Sequence, residues 1–235
     1  MPQRFRLDRF VWIPYLALSL GACAKPAPAP EPSAWAPLSP AEAGVWAART
    51  APAGHRLMRF RWLFNDGQAS VGGQGSARFA GPDSLRFDIA GPFGIGNAAA
   101  AVAGERALWV EPPDIIARLI PSYPLMWAMF GVMRPPPPGA SVRGFRDDAA
   151  TAFRSVTGTD SLQYRLSVEP GHSLRAEWRR AGVVMGVVDA RLNPDGSPIS
   201  ARLTVPSVPA RLDITIVADS AVFAFPASVW APAAP

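Results

Sequence analysis

The sequence predicts a mainly β domain of the α+β class: one large curved antiparallel sheet, with a few short helices to cover it. Three observations carry that expectation. Apolar residues alternate with polar ones in stretch after stretch, as where Met58, Phe60, Trp62 and Phe64 fall on one face of a strand and Arg59 and Arg61 on the other. Turn signals such as Asn65-Asp66-Gly67 and Asn193-Pro194-Asp195-Gly196 separate those stretches. Helical signals are few and short, and most of them lie in one apolar insertion midway along the chain.

The elements come in order along the chain. Arg4, Arg6 and Arg9 make its start basic, and Phe10 to Ala22 carries no charge. That run falls short of the roughly 20 apolar residues of a membrane-spanning helix and suits the core of an export signal. Leu20-Gly21-Ala22-Cys23 resembles the lipobox cut by lipoprotein signal peptidase. Cys23, the only cysteine, is placed to take a diacylglyceryl group. The expected division is a signal peptide over 1–22, a tether over 23–38 and a single domain over 39–235. Each buried methylene is worth about 0.8 kcal/mol, so two or more acyl chains anchor stably where one does not. Ala24-Lys25-Pro26-Ala27-Pro28-Ala29-Pro30 has nothing to build a core with and favours extended polyproline II at about 3.1 Å per residue. Ala24 is not the aspartate that holds many lipoproteins at an inner membrane, so the expected location is an outer membrane, facing the periplasm.

Ser39-Pro40-Ala41-Glu42 is a capping box with proline at the first helical position, and predicts a short helix ending near Arg49. The strand of Met58 to Phe64 comes next. After its turn, a strand over about 68–80 is interrupted by Gly72, Gly73 and Gly75, which predicts a bulge or bend. Leu85, Phe87 and Ile89 alternate with Arg86 and Asp88. Strands over about 97–103 and 106–110 come after them. Asp114 is placed to cap a turn carrying Ile115, Ile116, Leu119 and Ile120, and Leu125 to Met133 predicts a helix apolar almost all round. Pro135 to Pro138 ends it. The second half alternates again, in Leu162, Tyr164, Leu166 and Val168, in Leu174, Ala176 and Trp178, in Ile199, Ala201, Leu203 and Val205, and in Leu212, Ile214 and Ile216. Strands joined by tight turns make an antiparallel meander.

Composition narrows the function. The net charge of +5 is spread along the chain as arginine, with Lys25 the one lysine, and no cluster reads as a nucleic-acid footprint. A lone cysteine excludes disulfides, so stability rests on apolar burial, for which eight Trp and twelve Phe supply the material. No catalytic residue, metal site or cofactor is expected. His55 and His172 have no acidic or cysteine partner at ligand spacing. Asp147 and Asp148 are adjacent, so on a strand they face opposite ways and belong to a solvated turn. Gly94-Ile95-Gly96-Asn97-Ala98-Ala99 matches a dinucleotide-binding pattern, but the preceding strand alternates instead of being buried on both faces, and Gly104 soon ends the alanine run. The apolar run of Leu125, Met126, Trp127, Met129, Phe130, Val132 and Met133 reads either as a core element or as a lid over a greasy cavity, since methionine adapts to variable partners.

An N-terminal helix, a bent antiparallel sheet, helices inserted midway and a lipobox together resemble the lipoprotein-localisation (LolA/LolB) family, with its outer-membrane receptor branch as the nearest match. Asp83 to Gly96, where a strand ends in Gly91-Pro92-Phe93-Gly94, is similar to the family's Pro-Leu-Gly loop. Leu125-Met126-Trp127 with Gly131 is similar to its Leu-x-x-Trp-x-x-Gly, with spacings that differ by about a residue. The resemblance implies an unclosed half-barrel whose helices plug an apolar cavity that receives acyl chains or lipoproteins. Phe60, Trp62, Phe87, Trp127, Met129, Phe130 and Met133 are its expected lining. It also implies a membrane-contact loop at Pro92, Phe93 and Gly94, and a periplasmic carrier protein among the partners. The rival expectation is a structural lipoprotein whose apolar face docks a protein partner, with no ligand cavity.

Overall fold

Two meanders make one sheet. In the computed structural model, which describes residues 35–92, 97–168 and 170–232, the first meander holds β2 (His55–Asn65), β3 (Ser70–Ala80), β4 (Ser84–Ala90), β5 (Ala98–Ala103) and β6 (Arg106–Glu111). The second holds β7 (Ser141–Arg146), β8 (Ala150–Thr157), β9 (Asp160–Ser167), β10 (Ser173–Arg180), β11 (Val183–Leu192), β12 (Pro198–Val205) and β13 (Ala210–Val222). A two-residue strand, β1 (Ala36–Pro37), extends the second meander by pairing with β7. The meanders fuse where β13 pairs with β2, giving thirteen antiparallel strands in the order β1-β7-β8-β9-β10-β11-β12-β13-β2-β3-β4-β5-β6. The edges, β1 and β6, do not pair with each other, so the sheet is an unclosed, mainly β half-barrel. The signal segment, Cys23 and most of the tether lie outside the described residues; strand pairing begins ahead of Ser39, at Ala36.

This order dictates where the helices go. β6 and β7 are consecutive in the chain but sit near opposite edges of the sheet, so the segment between them must cross the sheet. It does so as α2 (Pro113–Leu119) and α3 (Tyr123–Met129), α3 packing on β10, β11 and β12. Gly186 on β11 makes the seat, since a Cβ there would lie 2.6 Å from Cδ1 of Leu125. α1 (Pro40–Ala48) packs near the β7 edge. Its capping box is complete: the Glu42 N–H donates to Ser39 Oγ at 3.2 Å, and the Ser39 N–H donates to the Glu42 carboxylate at 3.1 Å. Met58, Phe60, Trp62 and Phe64, Leu85, Phe87 and Ile89, and Leu212 and Ile214 are all buried on the inner face, as the alternation requires.

Three local expectations are corrected. β2 and β3 run in continuous register from Asn65↔Ser70 to His55↔Ala80, with no bulge at the glycines. The glycines serve close approach instead: a Cβ on Gly75 would lie 2.4 Å from the Phe60 ring, and one on Gly73 would lie 1.9 Å from the Ala90 carbonyl oxygen. Asp114 does not cap α2; Pro112 holds the cap position, and Asp114 falls in the first turn. The helix expected over 125–133 stops at Met129, because Gly131 turns the chain with φ +79°. A 3-10 turn over Ala227–Trp230, with no periodic signal, ends the described chain.

Candidate functional site

The expected lining residues converge, but as a filled core. Phe60 and Trp62 come from β2, Phe87 from β4, Trp127 and Met129 from α3, and Phe130 and Met133 from the turn beyond it. None is more than 7 % exposed. Phe130 sits among three rings, with centroids 5.7 Å from Phe60, 5.5 Å from Phe79 and 6.2 Å from Phe87. Phe60 stacks on Phe87 at 5.5 Å, and Phe79 meets Trp127 at 5.8 Å. Trp62 stands aside from this cluster; its indole N–H is shared between the carbonyls of Gln74 at 3.1 Å and Ala90 at 3.2 Å.

The open space lies at the margins of that core. A cleft of about 460 Å³ is lined by Leu162, Trp178, Tyr123, Pro121, Asp160 and Arg180 among others. A second, of about 320 Å³, is lined by Val110, Ile116, Ala117 and Ile120. Both are bordered by Pro121, Ser122 and Tyr123, so the link between α2 and α3 is the partition between them. At the first cleft the Arg180 guanidinium hydrogen-bonds Asp160 at 2.9 Å and holds its carboxyl below the usual range. A further cleft, of about 830 Å³, is on the outer face, where Arg78 and Arg86 both pair with Asp88. Lined by Arg59, Arg78, Arg86, Asp88 and Glu111, it does not belong to the apolar site.

Several residues at the site have little or no signal in the sequence. Phe79 is hidden by the glycine run before it. Leu162 and Trp178 are visible as alternating strand residues but not as a cleft wall. Arg134, a single charge between Met133 and Pro135, has no pattern to announce it, yet it is 5 % exposed and anchors the end of the helical insertion. Its guanidinium donates to the Pro82 carbonyl at 2.6 Å and to the Asp83 carboxylate. The side chain of Tyr164, fully buried, lies beside the Arg134 main chain with its hydroxyl oxygen unpartnered.

Pro92 is exposed at the end of β4, while Phe93 and Gly94 lie outside the described residues. Ala98–Ala103, where the dinucleotide-like pattern would need a helix, is a strand paired antiparallel with β4. His55 packs edge-on against Phe225 at 5.9 Å. Asp147 accepts main-chain N–H bonds from Ala149 at 3.0 Å and Ala150 at 2.7 Å, closing its own turn. Among the described residues, no group of three or more His, Cys, Asp or Glu is placed to hold a metal. No described helix is long and apolar enough to cross a membrane.

An unclosed antiparallel half-barrel with helices laid into it defines a fold class, and solved structures share it. A LolA superfamily protein of Nitrosomonas europaea superposes with a TM-score of 0.55 at 10 % identity, covering 83 % of this chain and 98 % of that one. A domain assigned to outer-membrane lipoprotein sorting, from Vibrio parahaemolyticus, gives 0.52 at 7 % identity over 80 % of this chain and 94 % of that one. A DUF1329 family protein of Desulfovibrio piger gives 0.54 at 11 % identity over 82 % and 95 %. No protein-family model and no curated protein matches the sequence. The chain has the LolA-like fold.

Proposed function

We propose that this protein is a lipid-anchored envelope protein that takes acyl chains, of a lipid or of a lipoprotein, between the inner face of its sheet and helices α2 and α3. The observation that carries the reading is the pair of clefts that share a wall at residues 121–123. α2 and α3 are seven residues each, and neither has a side-chain cap bond. α3 is buried and fastened through Trp127, so the segment whose opening costs least is the proline-containing link ahead of it together with the short, uncapped α2. Lifting the link merges the clefts into one space whose apolar walls are Val110, Ile116, Ile120, Leu162 and Trp178. The merged space falls in the roughly 300–1,000 Å³ range of small-ligand sites.

Proteins of this fold that are assigned to lipoprotein sorting support a localisation role like that of the outer-membrane receptor. In that role Cys23 bears the anchor, Pro92, Phe93 and Gly94 touch the membrane, and cargo arrives from a periplasmic carrier. Fold alone does not fix such a role. The chain from residue 23 onward, carrying Cys23→Ser, should bind a fluorescent fatty acid or lipopeptide, and Met129→Asp should weaken that binding by placing charge where the chain lies.

The filled core favours a second reading, in which the helices are a permanent plug and the domain docks a protein partner. A folded domain that takes up neither probe at saturating concentration decides for that reading.

A further inference from the structure

We infer that β6, one edge of the sheet, pairs antiparallel with β6 of a second copy of this chain. The two edges differ in kind. β1 is two residues long and contains Pro37, so it offers little to a further strand. β6 runs from Arg106 to Glu111 without a proline, and among the described residues β5 alone takes its main-chain bonds. Arg106, Ala107, Leu108 and Glu111 are exposed, Leu108 at 56 %. A free edge of this kind is a template for another strand.

Charge selects the second copy. Arg106 and Glu111 stand at opposite ends of β6, and neither side chain has a partner among the described residues. At that separation on a regular strand they would face opposite ways. The register shift between Ala101 and Val102 leaves Leu108 as an extra residue in β6. Arg106 therefore pairs with Ala103 and Glu111 with Ala99, both on the outer face, since Ala98, Ala100 and Val102 belong to the core. With both charges on one face, the strand turned end for end is its own complement. Arg106 falls opposite the second copy's Glu111, and the two-fold axis repeats that pair at the other end. Ala107 falls opposite Val110, both on the inner face, and Leu108 falls opposite Trp109. Trp109 is held in place for that contact: its indole N–H donates to the Trp230 carbonyl at 2.8 Å, and the Arg86 guanidinium lies 5.0 Å over its ring. A strand of unrelated sequence finds hydrogen bonds at this edge but leaves both charges unanswered.

Sedimentation of the chain from residue 23 onward, carrying Cys23→Ser, tests the pairing. One short strand a side makes a small interface of the transient class, so the series extends to about 1 mM. The parent should associate reversibly to a dimer. Adding Arg106→Glu sets acid against acid at both ends, and Glu111→Arg sets base against base, so each should weaken the dimer about tenfold or more. Both substitutions on one chain restore opposite charges and should restore the dimer. Mixing the two single variants should give a mixed dimer tighter than either forms alone. Leu108→Lys, which puts a charge on the edge itself, should leave a monomer. Phe223→Ser, at an apolar side chain 97 % exposed elsewhere, should change nothing. Thermal unfolding checks that each variant folds, and the exposed charge variants carry the test if Leu108→Lys does not. A parent that is monomeric at every concentration overturns the inference and leaves the edge to a strand of another protein. A dimer indifferent to both charge variants, or one that the double exchange fails to recover, overturns it too.

Discussion

The guanidinium of Arg134 lies 4.6 Å over the Trp127 ring, while the Trp127 indole N–H donates to the Gly104 carbonyl at 2.9 Å. Through this pair the end of the helical insertion is fastened to two turns of the first meander, since Arg134 also holds Pro82 and Asp83. The stack orders a large polar group that the apolar insertion carries into the interior, and its hydrogen bonds offset the cost of burying that charge.

Arg134→Met keeps most of the stem and removes the charge. Losing hydrogen bonds from a charged donor together with the cation–π contact should cost about 2–4 kcal/mol. The Asp83 side chain is 65 % exposed, so its carboxylate returns to water and adds little further penalty. Denaturant unfolding reads the change as a shift in midpoint without a change in slope.

Tyr164 probes how tightly the interior is sealed. Burial pushes its hydroxyl well above the ordinary 10.0. The folded state keeps a proton that the unfolded chain gives up near 10.0, so this group makes stability fall as pH rises beyond that point. An alkaline absorbance titration compared with Tyr164→Phe should show no Tyr164 step until the protein unfolds, and Tyr164→Phe should flatten the alkaline loss. Because the hydroxyl oxygen has no partner, Tyr164→Phe should also be neutral or more stable at neutral pH, by up to about 1 kcal/mol.

How much of the fold and the site is legible in the sequence depends on the range of the physics involved. Alternation is local, and it places Met58 to Phe64, Leu85 to Ile89 and Leu212 to Ile216 on the inner face. The capping box at Ser39 is local too. In β11, Val183, Val184, Val187 and Val188 blur the period of two, so that strand gives little sign of itself. The pairing of β13 with β2 joins distant parts of the chain, and hairpin signals cannot report it. The site inherits that gap. Its aromatic members are visible as apolar positions, but whether they line a space or fill it depends on how the β6–β7 connection crosses the sheet. Arg134 is illegible because one charge in an apolar run has no period.

Gly75→Ala tests the close approach at a position where the sequence suggests a bulge. The added Cβ would lie 2.4 Å from the Phe60 ring and 2.7 Å from the Asp88 carbonyl oxygen. Strand register allows no local escape, so overpacking should cost about 1–3 kcal/mol. Gly171→Ala, where a Cβ would meet nothing within 4 Å, is the control and should melt with the wild type.

Phe130→Ala distinguishes a displaceable plug from a permanent one. Phe130 is 2 % exposed and touches the rings of Phe60, Phe79 and Phe87. Its removal should cost about 3–5 kcal/mol in either case, because the lost packing and the residual cavity are the same. The consequences for binding differ. If acyl chains enter where this ring sits, the wild type must first move the ring aside, and the variant has already made that space. A fluorescent fatty acid should then bind Phe130→Ala more tightly than wild type. Ligand at a hundredfold excess over its dissociation constant should also restore about 2.7 kcal/mol of the lost stability. If the insertion is a fixed plug, the variant binds small apolar molecules at most, as dry cavities do, and a fatty acid leaves its melting temperature where it was. Tighter binding with recovered stability is the expected result; an unmoved melting temperature with no probe uptake would reject the acyl site at this position.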